Sequence, residues 1–275
     1  MITDFEVSDV YVSEILSLKG EYQSTFQHLK ATTDSYKIPL KLLPKTKDIW
    51  ARDYMPVQIS EGKFVEFRYD PDYLQGARKG YRNLKSYPDI ICDAIGLNTV
   101  KTDIILDGGN MVKSKNTLIM TDKIFHENRN DYTKKELMKQ LHSLFEIETI
   151  ITIPQDSQDE YGHTDGMLRF IDGNTVIVNP FYKNNQKMIS ALERDKLSIE
   201  FLKYEVKKLD KRSWAYINFL QTKDIILLPK FNIDEDELAL EQIRKCYPNY
   251  KVEQIEMTNI VKHGGALNCI TWTTL

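Results

Sequence analysis

Five short clusters rich in polar residues and glycine punctuate the chain at nearly equal intervals, centred on Asp53, Asp107, His163, Asn218 and Cys269. Their separations are 54, 56, 55 and 51 residues. Spacing of this size is the mark of a repeated supersecondary unit, and such units can close into a ring that gathers equivalent positions around one axis. The units share no obvious sequence, so the period rests on chemistry rather than on repeated letters. Five units of about 55 residues account for a chain of 275.

Between the clusters lie runs of four to eight residues rich in Ile and Val and bounded by turn residues, which read as buried strands: 102–106, 117–120, 149–153, 175–178, 225–228 and 252–255. Amphipathic helices are predicted over 131–146 and 234–246. In the first, Leu137, Leu141 and Leu144 are spaced i, i+4, i+7 behind an Asp131 cap. The second aligns Ala239, Ile243 and Cys246 and stops before Pro248. Further helices are expected over 21–31 and within 185–206. Several strands per helix do not fit the strict alternation of a doubly wound sheet, so a mixed α/β architecture is expected.

The balance of 37 basic and 40 acidic residues gives a net charge of -3, which argues against nucleic-acid binding and against a polybasic membrane-surface protein. No run approaches the roughly 18 apolar residues that span a bilayer, and no signal peptide is legible in the first twenty residues. Cys92, Cys246 and Cys269 are odd in number, widely spaced and free of any C-x-x-C pair. Neither a disulfide framework nor a cysteine metal site is indicated, and a reducing, cytoplasmic setting is expected. With no Pro-, Gly- or Ser-rich linker, residues 1–275 are expected to form a single domain. A homo-oligomer is compatible with the sequence.

Candidate chemistry concentrates in the clusters. In His263-Gly264-Gly265-Ala266-Leu267-Asn268-Cys269, two glycines permit positive φ and close backbone approach, and Cys269 can then sit at a cleft as a nucleophile. A lone cysteine is also an ordinary core residue, the reading that suits Cys92 and Cys246. His163, in Tyr161-Gly162-His163-Thr164-Asp165-Gly166, is the best proton shuttle of the five histidines. In an extended segment it would share a face with Asp165, as a catalytic pair or as a surface or metal-ligand motif. Asp53, beside Arg52, reads alone as one half of an ion pair, and Asp107, in Leu106-Asp107-Gly108-Gly109-Asn110, as a hairpin turn. Together these residues make a site with a nucleophile, a base and an excess of negative charge.

Trp50-x-Arg52-Asp53-x-x-Pro56, Asp107-Gly108-Gly109-Asn110, Gly162-His163-x-Asp165 and Gly264-Gly265 through Cys269-Ile270-Thr271 together resemble the agmatine deiminase family, which includes bacterial-type peptidylarginine deiminases within the guanidine-modifying, or pentein, superfamily. Residues 213–219 and 225–231 resemble that family's fourth repeat. The similarity runs in order from about Trp50 to the C-terminus, and the first fifty residues show no clear match. The resemblance implies a five-bladed α/β propeller with a central active site. It implies Cys269 as nucleophile, His163 as general acid/base and Asp107, where relatives often have Glu, as the carboxylate that orients the histidine. Asp53 and Asp165 match the pair that holds the guanidinium. Trp50 could stack on the cation. No metal and no cofactor are implied. Ala266 stands where the family has a third glycine, and Asn268 where it has histidine.

The resemblance implies a small cationic guanidino substrate, hydrolysed to a ureido product and ammonia, with agmatine favoured. A shorter chain than typical agmatine deiminases, with shorter loops, could leave an open cleft suited to peptidyl-arginine. Asp159 and Glu160 are candidates to hold agmatine's far ammonium. Amidino transfer, a non-catalytic binding scaffold and a cysteine amidase are the alternatives. The last leaves Asp53 and Asp165 unexplained, because a neutral amide does not call for two carboxylates.

Overall fold

The computed structural model describes residues 1–75, 81–203 and 215–275. Fifteen strands occur in these residues: β1 (Asp9–Ser13), β2 (Leu40–Leu43), β3 (Val57–Ser60), β4 (Lys63–Arg68), β5 (Val100–Ile105), β6 (Val112–Lys113), β7 (Thr117–Thr121), β8 (Thr149–Ile153), β9 (Leu168–Phe170), β10 (Thr175–Val178), β11 (Ser198–Phe201), β12 (Leu220–Gln221), β13 (Ile225–Lys230), β14 (Lys251–Glu256) and β15 (Thr271–Thr274). They form five three-stranded sheets of one design: an antiparallel pair, then a helical crossover to a third strand parallel to the second. The mixed α/β expectation holds, and the five sheets are the five blades of the propeller.

Four blades are consecutive in sequence. The fifth joins the chain's two ends, with Asp9 opposite Thr274 and Val12 opposite Thr271. Residues 1–49 therefore supply two strands and the helices Glu14–Leu18 and Gln23–Ser35 of the blade that Cys269 enters. A radial order follows from burial. The first strands of the hairpins, such as β9, β12 and β15, are buried throughout, whereas the parallel third strands β11 and β14 are largely exposed or half-exposed. The central strands β7, β10 and β13 are Ile/Val/Leu-rich and buried on both faces, as strands covered by helices must be.

The strands 149–153 and 175–178 match the sequence reading, and the others differ at their ends by one or two residues. The helix expected over 131–146 runs Lys134–Phe145 and is capped by Thr133 rather than Asp131. The Thr133 hydroxyl accepts from Glu136 N–H while the Glu136 carboxylate reaches back, a reciprocal cap that Asp131 could not form. Leu137, Leu141 and Phe145 are buried; Leu144 is half-buried. The helix expected over 21–31 is Gln23–Ser35. That within 185–206 is Gln186–Arg194, and residues 204–206 lie outside the described residues, as do Ser213 and Trp214 of the fourth motif. In Glu235–Cys246, Ala239 and Ile243 are buried, but Cys246 is only half-buried, so its core reading is corrected. Cys92 is buried as expected. Among the described residues no helix is long and apolar enough to cross a membrane.

Candidate active site

Each polar cluster is the turn that enters a blade. Asp53 lies in the single helical turn Ala51–Tyr54. Asp107 precedes the turn Gly108–Asn110, His163 precedes Thr164–Gly166, Asn218 follows Ala215–Ile217, and Cys269 closes the segment that leads into β15. The five turns touch in a closed ring of hydrogen bonds. Gly109 N–H donates to Asp53 Oδ1 (3.1 Å), and His163 Nε2 lies 2.8 Å from Asp107 Oδ2. Asn218 Nδ2 donates to the Asp165 carbonyl (3.4 Å), and Cys269 N–H to Asn218 Oδ1 (3.2 Å). Arg52 N–H closes the ring on the Cys269 carbonyl (3.1 Å). The near-equal spacing in sequence thus delivers one turn per blade to a single closed ring.

The expected extended face shared by His163 and Asp165 does not form. The segment tightens into a 3₁₀ turn after His163, and the two side chains diverge. His163 turns toward Asp107 and Asp53, with Nδ1 at 3.6 Å from Asp53 Oδ1. Asp165 turns toward the nucleophile segment, accepting from Asn268 Nδ2 (2.6 Å) and from Cys269 Sγ (3.6 Å). Gly109 is required where these groups meet: a Cβ there would lie 2.6 Å from Asp53 Oδ1 and 2.7 Å from His163 Nδ1. Asp53 does not pair with its neighbour Arg52, whose Nε donates to the Asn268 carbonyl (3.3 Å).

Burial and like charges set the protonation states. Burial lowers the proton affinity of His163, but the Asp53 charge and the Asp107 hydrogen bond outweigh it and raise the imidazole to about 9. Burial pushes Asp53 up to about 7; His163 opposes this, and Asp107 and Asp165 add to it. Burial acts upward on Asp107 too, yet Lys123 and His163 hold it below the usual carboxylate range. The Cys269 thiol is driven well above its ordinary value by burial, then by Asp165 and Asp53, against two hydrogen bonds that act the other way. Cys269 and His163 do not hydrogen-bond to each other; both line one cavity of about 370 Å³.

That cavity also receives Asp53, Asp165 and the half-buried Trp50. Gly265 has to be glycine because a Cβ would overlap the Trp50 ring and lie 3.1 Å from the Cys269 Cβ. All six residues singled out in the sequence therefore meet in one place, with Asp107 just behind His163. Of the two acidic residues considered for the distal end, Asp159 lines the cavity, though it also accepts from Tyr161 and Gly162 N–H; Glu160 does not line it. Lys19, Lys47 and Asp48 line it too.

Several site residues had no role assigned to them from the sequence. Asn218 accepts from both Ala266 and Cys269 N–H (3.2 Å each), so it shapes the nucleophile turn. Asn268, at a position where the family has histidine, anchors Asp165. Asn110 Oδ1 gathers Thr121 N–H, Thr121 Oγ1 and Thr164 Oγ1 (2.8–2.9 Å). Lys123, buried behind Asp107, lies in no recognisable pattern. Among the described residues, no group of three His, Cys, Asp or Glu is placed to hold a metal ion.

A five-bladed α/β ring with a thiol, an imidazole and two carboxylates on its central cavity has the pentein architecture of guanidine-modifying enzymes. More narrowly, the chain belongs to the Porphyromonas-type peptidyl-arginine deiminase family, whose sequence profile matches residues 14–274 and so extends well N-terminal of Trp50. A Mycoplasma mycoides protein, whose name assigns it provisionally to agmatine deiminase, is 25% identical over 82% of this chain and 74% of its own length. Solved agmatine deiminases of C. jejuni and Enterococcus faecalis share the fold. They are 19% and 18% identical, each with a TM-score of 0.76 and covering 99% of this chain and 94% of the other.

Proposed function

We propose that this chain, acting as one catalytic domain, hydrolyses a guanidino group to a ureido product and ammonia, with agmatine as the favoured substrate. The observation that carries the reading is that the buried carboxylates of Asp53 and Asp165 line the same cavity as the buried Cys269 thiol. A guanidinium is a permanently charged planar fork, and two carboxylates can bind its nitrogens and aim its carbon at the sulfur. Trp50 offers an aromatic wall for that cation. The same carboxylates hold the thiol protonated before substrate binds. A bound guanidinium offsets their charge, and the thiol proton then leaves to solvent, so activation is coupled to binding the right cation.

The Cys269 thiolate adds to the guanidinium carbon. Protonated His163 gives its proton to one nitrogen, the C–N bond breaks and ammonia departs, leaving a covalent thiouronium. Neutral His163 then takes a proton from water as its oxygen adds to the same carbon. The C–S bond breaks, the hydroxyl proton is lost, and the ureido product and thiolate are released. No step calls for a metal. A free-thiol nucleophile suits a reducing, cytoplasmic setting, and all three cysteines are unpaired.

Arginine in a peptide, or another guanidino acid, is the second reading. Lys19 and Lys47 line the cavity and complement a carboxylate rather than a second ammonium. The test measures ammonia and ureido product from agmatine, arginine and arginyl peptides, beside Cys269→Ala. Agmatine turnover that Cys269→Ala abolishes is the expected result, citrulline on peptides alone would shift the assignment to the second reading, and no turnover of any guanidine would overturn both.

A further inference from the structure

Lys123 begins the short helix Lys123–Glu127 just after β7, and its side chain is only 4% exposed. Burying an ammonium is costly unless it is paired and hydrogen-bonded. Here Nζ donates to Asp107 Oδ2 (3.1 Å) and to the Tyr161 carbonyl (2.9 Å), with Glu127 and Asp72 carboxylates at 3.4 and 3.5 Å and the Tyr73 ring 4.6 Å away. Burial works against its charge, but Asp107, Glu127 and Asp72 outweigh it, so the lysine stays cationic. Its two hydrogen bonds reach both halves of the neighbouring pair: the carboxylate of Asp107 and the backbone two residues before His163.

Asp107 Oδ2 accepts from His163 Nε2 and from Lys123 Nζ, while the buried Oδ1 has no hydrogen-bond partner. The carboxylate cannot therefore give its full charge to the imidazole. Around His163 the acidic groups are Asp107 and Asp53 in contact, Asp165 and Cys269 across the cavity, and Glu127 and Asp72 behind Lys123; Tyr73 and Tyr161 pack on the ring. Against this surplus of negative charge, Lys123 is the cation bonded to the same oxygen as the histidine. We propose that Lys123 is a positioning residue that locks the Asp107–His163 pair in place and holds down the proton affinity of His163, so that the imidazolium can release its proton within the reaction cycle. This rests on the reading of His163 as the acid/base group.

Because both nitrogens bond one oxygen, the two cations lie at most about 6 Å apart, a separation at which removing one charge moves the other's titration by about one to two pH units. The experiment titrates His163 by NMR in isotopically labelled, substrate-free protein, comparing wild type with Lys123→Met, Lys123→Gln and Lys123→Arg, and so does not depend on turnover. Both neutral variants should titrate at least one pH unit higher, and Lys123→Arg within about half a unit of wild type. In the agmatine assay the limb of the kcat profile that follows His163 should move with it, with kcat reduced about tenfold or more at neutral pH and KM within about threefold. Lys123→Gln carries the test if Lys123→Met does not fold. Titration at the wild-type pH in a folded neutral variant would overturn the proposal. Absence of turnover in wild type, with the NMR shift intact, would overturn only the reading of the site.

Discussion

Asp165 serves two purposes that a single substitution should separate. Its Oδ2 lies 3.6 Å from the Cys269 sulfur and helps to keep the thiol protonated, while the same charge is half of the proposed guanidinium clamp. At 3.6 Å, two unit charges interact by roughly 4–5 kcal/mol at an effective dielectric near 20. If even a third of this acts on the thiol, Asp165→Asn lowers its titration by about one pH unit. The amide can still accept from Asn268 Nδ2, so the turn is expected to keep its shape. The substrate loses one partner of a buried charged pair, which costs about 2–5 kcal/mol and lowers kcat/KM by roughly 30-fold to several thousand-fold. The variant should thus be the more easily alkylated protein and the poorer enzyme. The assay follows iodoacetamide labelling of Cys269 by mass spectrometry against pH, without substrate, beside turnover of agmatine. A labelling profile that stays in place or moves upward in Asp165→Asn would falsify the claim that this carboxylate holds the thiol neutral.

Gly109→Ala places a methyl against Asp53 and His163, and should cost about 1–3 kcal/mol in urea denaturation and at least tenfold in activity; normal stability and turnover would contradict the packing. Asn218→Ala strips the acceptor from the buried N–H groups of Ala266 and Cys269, with an expected loss of about 3 kcal/mol in the same measurement and slower Cys269 chemistry. Burial pushes Asp48 up to about 7 despite its hydrogen bonds to Trp50 N–H and Ser86, so the folded state holds this proton more tightly than the unfolded chain. Its contribution to stability is complete below the unfolded value and is lost as pH rises through 7. Asp48→Asn should therefore gain on wild type in thermal denaturation between pH 5 and pH 8, and a pH-independent difference would count against this.

Much of the fold was legible because its signals are local. Apolar runs such as Thr149–Ile153 are bounded by turn residues, and the polar clusters recur once per blade because each blade needs one entry turn. The cap of Lys134–Phe145 was misplaced by two residues because Asp131 and Thr133 are both good caps, and only the reach of Glu136 back to Thr133 separates them. The divergence of His163 and Asp165 was hidden for another reason: one turn of 3₁₀ helix looks like any Gly-flanked polar stretch, and period-two alternation fails inside it. Residues 1–49 showed no motif because their part is to pair with β15, at the far end of the chain.

The sequence by itself determined which chemical groups the site could contain, since Cys269, His163, Asp53, Asp107, Asp165 and Trp50 were identifiable from residue type, spacing and family resemblance. The interval between clusters pointed to five repeated units, and the family resemblance implied that they are propeller blades. The tertiary structure alone decided how those groups are coupled: that the thiol bonds Asp165 rather than His163, that Asn218 and Asn268 hold the nucleophile turn, and that Lys123 shares Asp107 with the histidine. Contacts of that kind join residues 16 to 104 positions apart, and their strength depends on distance and burial. Neither quantity exists until the ring closes.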